Sequence, residues 1–258
     1  MSKDGFDNEN LLIENLNNKR YIELNDNLKK FVKYINNDIQ DNDILYCEKH
    51  AGLNKTDLTL IINNKSFNIS VKKGTGNSVH QEKLEDFIIF LDKNYDDLND
   101  DIIQAIKLFI WGDGTLDGTG KLENRIDART FHKENPELIN IIKNFFYKHK
   151  HDLIKRFLIT GLKSEISPDF IYYGSVDEGV CISAKYALEW LCDDKNESNS
   201  SIPVGRLTFQ AWNRNINGGD KSEHKRGVIQ LKWAQIKNDI ILMNKMSKKN
   251  INGECHGK

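Results

Sequence analysis

The stretch NKTDLTLIINNKSFNISVKKGTGNSVHQE, residues 54–82, holds two runs that alternate apolar with polar residues. Leu58, Leu60 and Ile62 are the apolar set of the first, and Phe67, Ile69 and Val71 that of the second. This period of two is the signature of a half-buried strand. Asn63-Asn64 lies between them, and asparagine tolerates the left-handed backbone of a two-residue hairpin turn. Such a turn pairs Ile62 with Lys65, Leu60 with Phe67 and Leu58 with Ile69. All six apolar side chains then share one face. The same register sets Asp57 opposite Ser70 on the other face, with Lys72 one diagonal step away. A slip of one residue would bring Leu58 against Ser70 and mix the faces, so core burial itself selects the register.

Beyond the second run, residues 74–77 (Gly-Thr-Gly-Asn) read as a flexible connector. Ser78 to Gln81 has the form of a capping box at a helix start. The stripe Leu84, Phe87, Ile88 and Leu91 follows at helical spacing. In that reading Glu82 lies in the first helical turn, close in sequence to the strand end that carries Lys72. Glu85 and Asp86 are open alternatives for the carboxylate that turns toward the strands. A pair of carboxylates with an ammonium beside them can hold a divalent cation and position a water for attack on a phosphodiester.

On Asp57, Lys72 and Glu82 the chain resembles the PD-(D/E)xK nuclease superfamily. Its motif is an aspartate, a short gap, then an acidic residue, any residue and a lysine on the next strand. Ser70 stands where that motif has Asp or Glu. A branch of restriction endonucleases in the superfamily also has Ser-x-Lys, with the missing carboxylate supplied by the following helix, and Ser70-Val71-Lys72 followed by Glu82 is similar to that variant. The resemblance spans roughly residues 45–92. It implies an α/β fold with a restriction-endonuclease-like core, a mixed central β-sheet flanked by helices. It further implies Mg²⁺-dependent cleavage of double-stranded DNA by a homodimer. Asp57 and Glu82 would ligate the metal, Lys72 would polarise the attacking water, and Ser70 would sit at the site. A second relaxed match, Asp169 with Ser183 and Lys185, is better read as Ser183 capping a helix over 184–192.

The 258 residues suffice for one large domain or two small ones; with the resemblance, a single nuclease domain over 1–246 and a disordered tail at 247–258 are expected. A net charge of −1 excludes a global basic field, so nucleic acid would have to meet a local patch. That patch is expected in region 203–233, where strands over 204–212 and 228–233 flank a polar loop. The region carries Lys or Arg at 206, 214, 221, 225, 226 and 232 against acids at 220 and 223. Gln210, Asn213 and Arg214 are the expected base contacts, and Lys221, Lys225 and Arg226 the expected phosphate contacts. Trp212 and Trp233 are expected in the core. The alternative reading is a nucleic-acid-binding module without catalysis, in which Lys72, Lys73 and the 74–76 amides hold phosphate.

Elsewhere, helices are expected at 25–39, 99–111, 136–149 and 152–162, and strands at 169–173 and 179–183. The glycine-rich run 112–120 reads as a plain turn rather than a calcium loop, because its twelfth position is Asn124. Cys47, Cys181, Cys192 and Cys255 form no C-x-x-C pair, which fits a reduced, cytoplasmic protein. No run is long and apolar enough to span a membrane.

Overall fold

The predicted hairpin is the centre of the first sheet in the computed structural model. This structure describes the backbone of residues 3–50, 54–74, 78–162 and 166–253, and side chains within 7–247 of those segments. The chain divides into two compact units, one drawn from 1–77, 158–190 and 234–258, the other from 78–157 and 191–233. The hairpin and the 203–233 region, both expected within one domain, fall in different units.

The first unit opens with α1 (Lys3–Leu16), β1 (Lys19–Arg20), α2 (Asp26–Ile35), β2 (Ile44–Lys49), β3 (Leu58–Ile62) and β4 (Lys65–Lys72). The second begins with β5 (Ser78–Lys83), α3 (Leu84–Asn94), α4 (Asp100–Trp111), α5 (Ala128–Glu134), α6 (Pro136–Lys148) and α7 (Lys150–Lys155). A π-helical turn at Arg156–Thr160 precedes β6 (Phe170–Gly174), β7 (Gly179–Ser183) and α8 (Ala184–Cys192). Then come β8 (Pro203–Val204), β9 (Leu207–Ala211), α9 (Asp220–Glu223), β10 (Val228–Lys232) and α10 (Ile236–Gly253).

The first unit is built on a mixed sheet of order β1-β2-β3-β4-β6-β7. Its one parallel pair is β4 with β6, and the other neighbours run antiparallel. The register of β3 and β4 is the predicted one: Ile62 faces Lys65, Leu60 faces Phe67 and Leu58 faces Ile69. Asn63 and Asn64 turn the chain with φ of 49° and 62°, the left-handed pair whose twist matches that of the flanking strands. Leu58, Leu60, Ile62, Ile69 and Val71 are buried against Leu12 and Leu16 of α1 and Leu28, Phe31, Val32 and Ile35 of α2. Asn25 caps α2 by accepting from the Leu28 amide at 2.8 Å.

The second unit carries an antiparallel sheet of order β5-β10-β9-β8. Phe209 of β9 is the hub of its core, with Phe87, Phe109 and Phe146 of α3, α4 and α6 around it. Together the units make an α/β protein. Among the described residues, no helix is long and apolar enough to cross a membrane.

Four local expectations change. Ser78 to Lys83 is a strand rather than a helix start, because these residues pair with β10; the helix begins at Leu84, whose amide donates to the Gly227 carbonyl at 2.8 Å. The strand expected over 204–212 is broken at Gly205, φ 54°, which folds β8 back on β9. The helix expected over 152–162 leaves α-geometry at Arg156. Residues 247–253, expected without order, continue α10, while 254–258 and the connector residues 75–77 lie outside the described residues. Other readings hold: Ser183 accepts from the Tyr186 amide at the head of α8, and Trp233 is fully buried, whereas Trp212, also expected in the core, is half-buried under Lys225.

The turn yields a test. Valine at position 63 or 64 would force a β-branched side chain into left-handed backbone, so Asn63→Val or Asn64→Val should each destabilise by about 1–2 kcal/mol. Asn64→Gly should be neutral or stabilising. Urea unfolding measures both; unchanged midpoints for the valine variants would contradict the turn.

Candidate functional site

The side of the hairpin away from its aliphatic core gathers the polar residues that the register requires. Asp57 directly precedes β3, and its amide donates to the Ile69 carbonyl at 2.9 Å, which extends the pairing toward Ser70. The Asp57 carboxylate is buried, and its Oδ2 accepts from the Val71 amide at 2.6 Å, the Ser70 hydroxyl at 3.2 Å and the Lys72 ammonium at 3.3 Å. Burying a carboxylate is costly unless its charge is hydrogen-bonded and paired, and these three donors meet that requirement. All of them end on Oδ2; among the described residues none is directed at Oδ1. Lys72 also donates to the Val71 carbonyl at 3.1 Å, which fixes its ammonium beside the carboxylate.

The structure adds Glu9, which sequence reasoning missed. It lies on α1, is 4% exposed, and has Lys49 of β2 at 3.9 Å. Burial, followed by the neighbouring Asp57 charge, pushes its carboxyl above the ordinary range, against the lowering effect of Lys49 and Lys72. The signal was present in the sequence: Glu9 occupies the stripe of Leu12, Ile13 and Leu16, at i, i+3, i+4 and i+7. A carboxylate on the buried stripe of a helix has to answer to something inside. Beside it, Asn8 donates to the Gly174 carbonyl at 2.9 Å, while its own Oδ1 is buried without a partner.

A second polar chain runs along the same strands. The Thr59 hydroxyl donates to Asn68 Oδ1 at 2.7 Å, so the 2.7 Å contact with His50 must be donated by the ring Nε2. The Asn68 amide in turn donates to Asp169 at 2.9 Å.

The three acidic candidates after β4 belong to the second unit. Glu85 and Asp86 are exposed in the first turn of α3. Glu82 points to the buried side of β5, where Arg156 donates to its Oε2 at 2.7 Å and His80 Nε2 contacts Oε1 at 2.9 Å. Burial raises the Glu82 carboxyl, but the His80 and Arg156 hydrogen bonds and charges outweigh it and hold it below the ordinary range. Its charge is thus already answered by a cation. Among the described residues no group of three or more His, Cys, Asp or Glu side chains forms a metal cage.

The expected DNA-contact residues separate into internal and displayed groups. Arg214 folds inward, with its guanidinium over the Phe109 ring and donating to the Phe109 carbonyl; desolvation lowers its pKa to about 10. Gly112 permits this: φ is 62°, and a Cβ there would meet Arg214 Cδ at 2.6 Å. Arg226 is buried and donates to Asp113 at 2.7 Å. Asn213 caps its own loop by accepting from the Asn215 amide. These three act as braces, so the local charge counted from the sequence overstates what faces solvent. Lys221 is exposed, Lys225 lies over the Trp212 ring at 5.0 Å, and Gln210 donates to Gln230 at 3.0 Å.

Neither protein-family models nor curated proteins provide a match for this chain.

The raised Glu9 carboxyl has a measurable sign. A carboxyl whose pKa is higher folded than unfolded supports the fold below its unfolded pKa, and that support is lost as pH rises through the folded value. Gln imitates the protonated acid. Glu9→Gln should therefore melt at higher temperature than the wild type at about pH 7.5, with the difference closing near about pH 4. A variant that melts lower than wild type at the higher pH would contradict the placement.

Proposed function

We propose that this chain is a Mg²⁺-dependent endonuclease of restriction type, hydrolysing phosphodiester bonds in double-stranded DNA on a restriction-endonuclease-like core. The observation that carries the reading is the Asp57 carboxylate, pinned through one oxygen by Ser70, Val71 and Lys72, with its other oxygen undirected and its charge among the causes that raise the Glu9 carboxyl. A carboxylate with one undirected oxygen, beside a carboxyl raised by burial and by that charge, suits a hard dication, and Mg²⁺ commonly takes one or two protein carboxylates and keeps several waters. Asp57 and Glu9 would hold it. Bound there, Mg²⁺ would supply Lewis acidity to a phosphoryl oxygen and acidity to a coordinated water.

The chain's own residues supply the rest. Ser70 and the Val71 amide hold Asp57 in one orientation, so the carboxylate need not reorganise as charge develops. Lys72 keeps an ammonium beside it, placed to orient a water and to offset the growing negative charge of the phosphate. The resemblance to Ser-x-Lys nucleases offers Glu82 as the second ligand. We assign Glu9 instead, because Arg156 and His80 already engage Glu82. A homodimer follows if the target is palindromic, since protein symmetry mirrors site symmetry. Free Cys47, Cys181 and Cys192 accord with a cytoplasmic setting.

Plasmid DNA incubated with the protein and Mg²⁺ should give discrete fragments, and EDTA should abolish them. Asp57→Ala and Lys72→Ala should each lower the cleavage rate by at least about a hundredfold, the scale of losing a group that stabilises transition-state charge. Duplex binding should persist in both. Unchanged cleavage in either would remove the site assignment. Glu9→Gln should behave like Asp57→Ala and Glu82→Gln should retain cleavage; the reverse pattern, in folded variants, would return the second ligand to Glu82.

A further inference from the structure

The face of the second unit's sheet away from its aromatic core has a composition that its registers define, with one register shift between Leu231 and Lys232. On β9, β10 and β5, Ala211, Ile229 and Glu82 form one cross-strand row, and Phe209, Leu231 and His80 another. All six of these residues are buried, against aromatic helices and Arg156. The alternate rows lie on the opposite face. They are Gln210–Gln230–Gln81, then Thr208–Lys232–Ser78, and, next to the loop, Val228 with Lys83. Trp212 continues this last row, its amide donating to the Val228 carbonyl at 2.7 Å, and Lys225 lies over its ring.

Two features of this face bear on a partner. The first is charge. Lys83, Lys232 and Lys225 are on or over it, Lys83 is exposed, and no ion pair is made by Lys83 or Lys232 among the described residues. No carboxylate occurs in its rows. The one acid within β5, β9 and β10 is Glu82, which points to the other side and is neutralised there by Arg156. The second feature is hydrogen-bonding capacity. Gln210 donates to the buried Gln230, and the exposed Gln81 donates to the Ser78 hydroxyl at 3.1 Å. Three glutamines thus lie in one cross-strand line whose ends, Gln210 half-buried and Gln81 exposed, are the accessible amides. Neighbouring strands are about 4.8 Å apart, so that line spans about 10 Å. A major groove is about 12 Å wide, and a glutamine amide can pair both ways with the adenine edge.

We propose that this sheet face is the surface that meets double-stranded DNA, with Lys83, Lys232 and Lys225 on phosphates, Gln210 and Gln81 toward base edges, and the buried Gln230 holding Gln210 in place. The proposal rests on DNA as the substrate, and it moves the reading surface from the loop arginines to the strands. Arg214 and Arg226 brace the loops; Gln210 remains a reader, joined by Gln81 of β5.

The test reads binding apart from cleavage. The full chain is titrated, in EDTA, into a fluorescein-labelled mixed-sequence duplex of about 30 base pairs over a range of salt. Lys83→Gln/Lys232→Gln should weaken binding at least about tenfold and lower the salt slope by about 2, one for each phosphate no longer neutralised. Lys83→Gln alone should lower the slope by about half as much, which covers failure of the double variant to fold. Lys93→Gln, on the exposed end of α3, should bind as wild type. Selection from a random duplex pool should show weaker sequence preference for Gln210→Ala, with binding to the mixed duplex little changed. Duplex binding that both lysine variants leave unaffected, an equal weakening in Lys93→Gln, tighter binding to an RNA hairpin than to the duplex, or no duplex binding would each overturn the proposal. Predicted binding effects without any cleavage would leave this surface standing and remove the nuclease reading; cleavage with lysine-independent binding would do the opposite.

Discussion

Six aliphatic and aromatic side chains and two asparagines decide where every polar group of the hairpin goes. The pair Asn63-Asn64 permits a two-residue turn because both residues tolerate positive φ, and the turn leaves β3 and β4 one register that buries Leu58, Leu60, Ile62, Ile69 and Val71 together. Side chains alternate along a strand, so burying that set commits Asp57 and Ser70 to the opposite face. The Asp57 site is therefore not separable from the core beneath it. Any substitution that slipped the register would expose the aliphatic set and disperse the carboxylate, hydroxyl and ammonium in one step.

Electrostatics then distinguishes two ways of burying a charge in this protein. Glu82 with Arg156 and Asp113 with Arg226 are closed arrangements, in which a guanidinium satisfies the carboxylate. Removing one partner of such a pair costs about 3–5 kcal/mol because the other is left buried and uncompensated. Asp57 is satisfied through one oxygen only, and Glu9 is answered less closely. Lys72 and Lys49 approach at 3.3 and 3.9 Å, and the Glu9 carboxyl stays raised by burial and by the charge of its neighbour. A buried carboxyl raised in this way is where a cation would lower the energy most, and perturbed groups gather at functional sites.

The hairpin, its register, the α8 cap at Ser183 and the β6 and β7 strands were legible because each depends on residues adjacent in sequence. Ser78 to Lys83 misled for the converse reason. Its capping-box pattern is local, whereas the β10 strand that claims it lies about 150 residues further on, and tertiary pairing overrides local propensity. The inward turn of Arg214 and Arg226 likewise depends on Phe109 and Asp113, more than a hundred residues earlier. Glu9 was overlooked because α1 is rich in Asp, Glu and Asn, and its short apolar stripe did not announce a buried helix. Reading that stripe first would have singled out its one carboxylate.

The central claim is the proposal that Asp57, placed by the hairpin register, and Glu9 of α1 hold a divalent cation. Anomalous diffraction from crystals soaked in Mn²⁺, which replaces Mg²⁺ on oxygen ligands, tests it most directly. The account predicts a peak within coordinating distance of Asp57 Oδ1 and the Glu9 carboxylate, absent from Asp57→Ala crystals. A peak on Glu82 with none at Asp57, or an Asp57 peak that survives the alanine substitution, would contradict it.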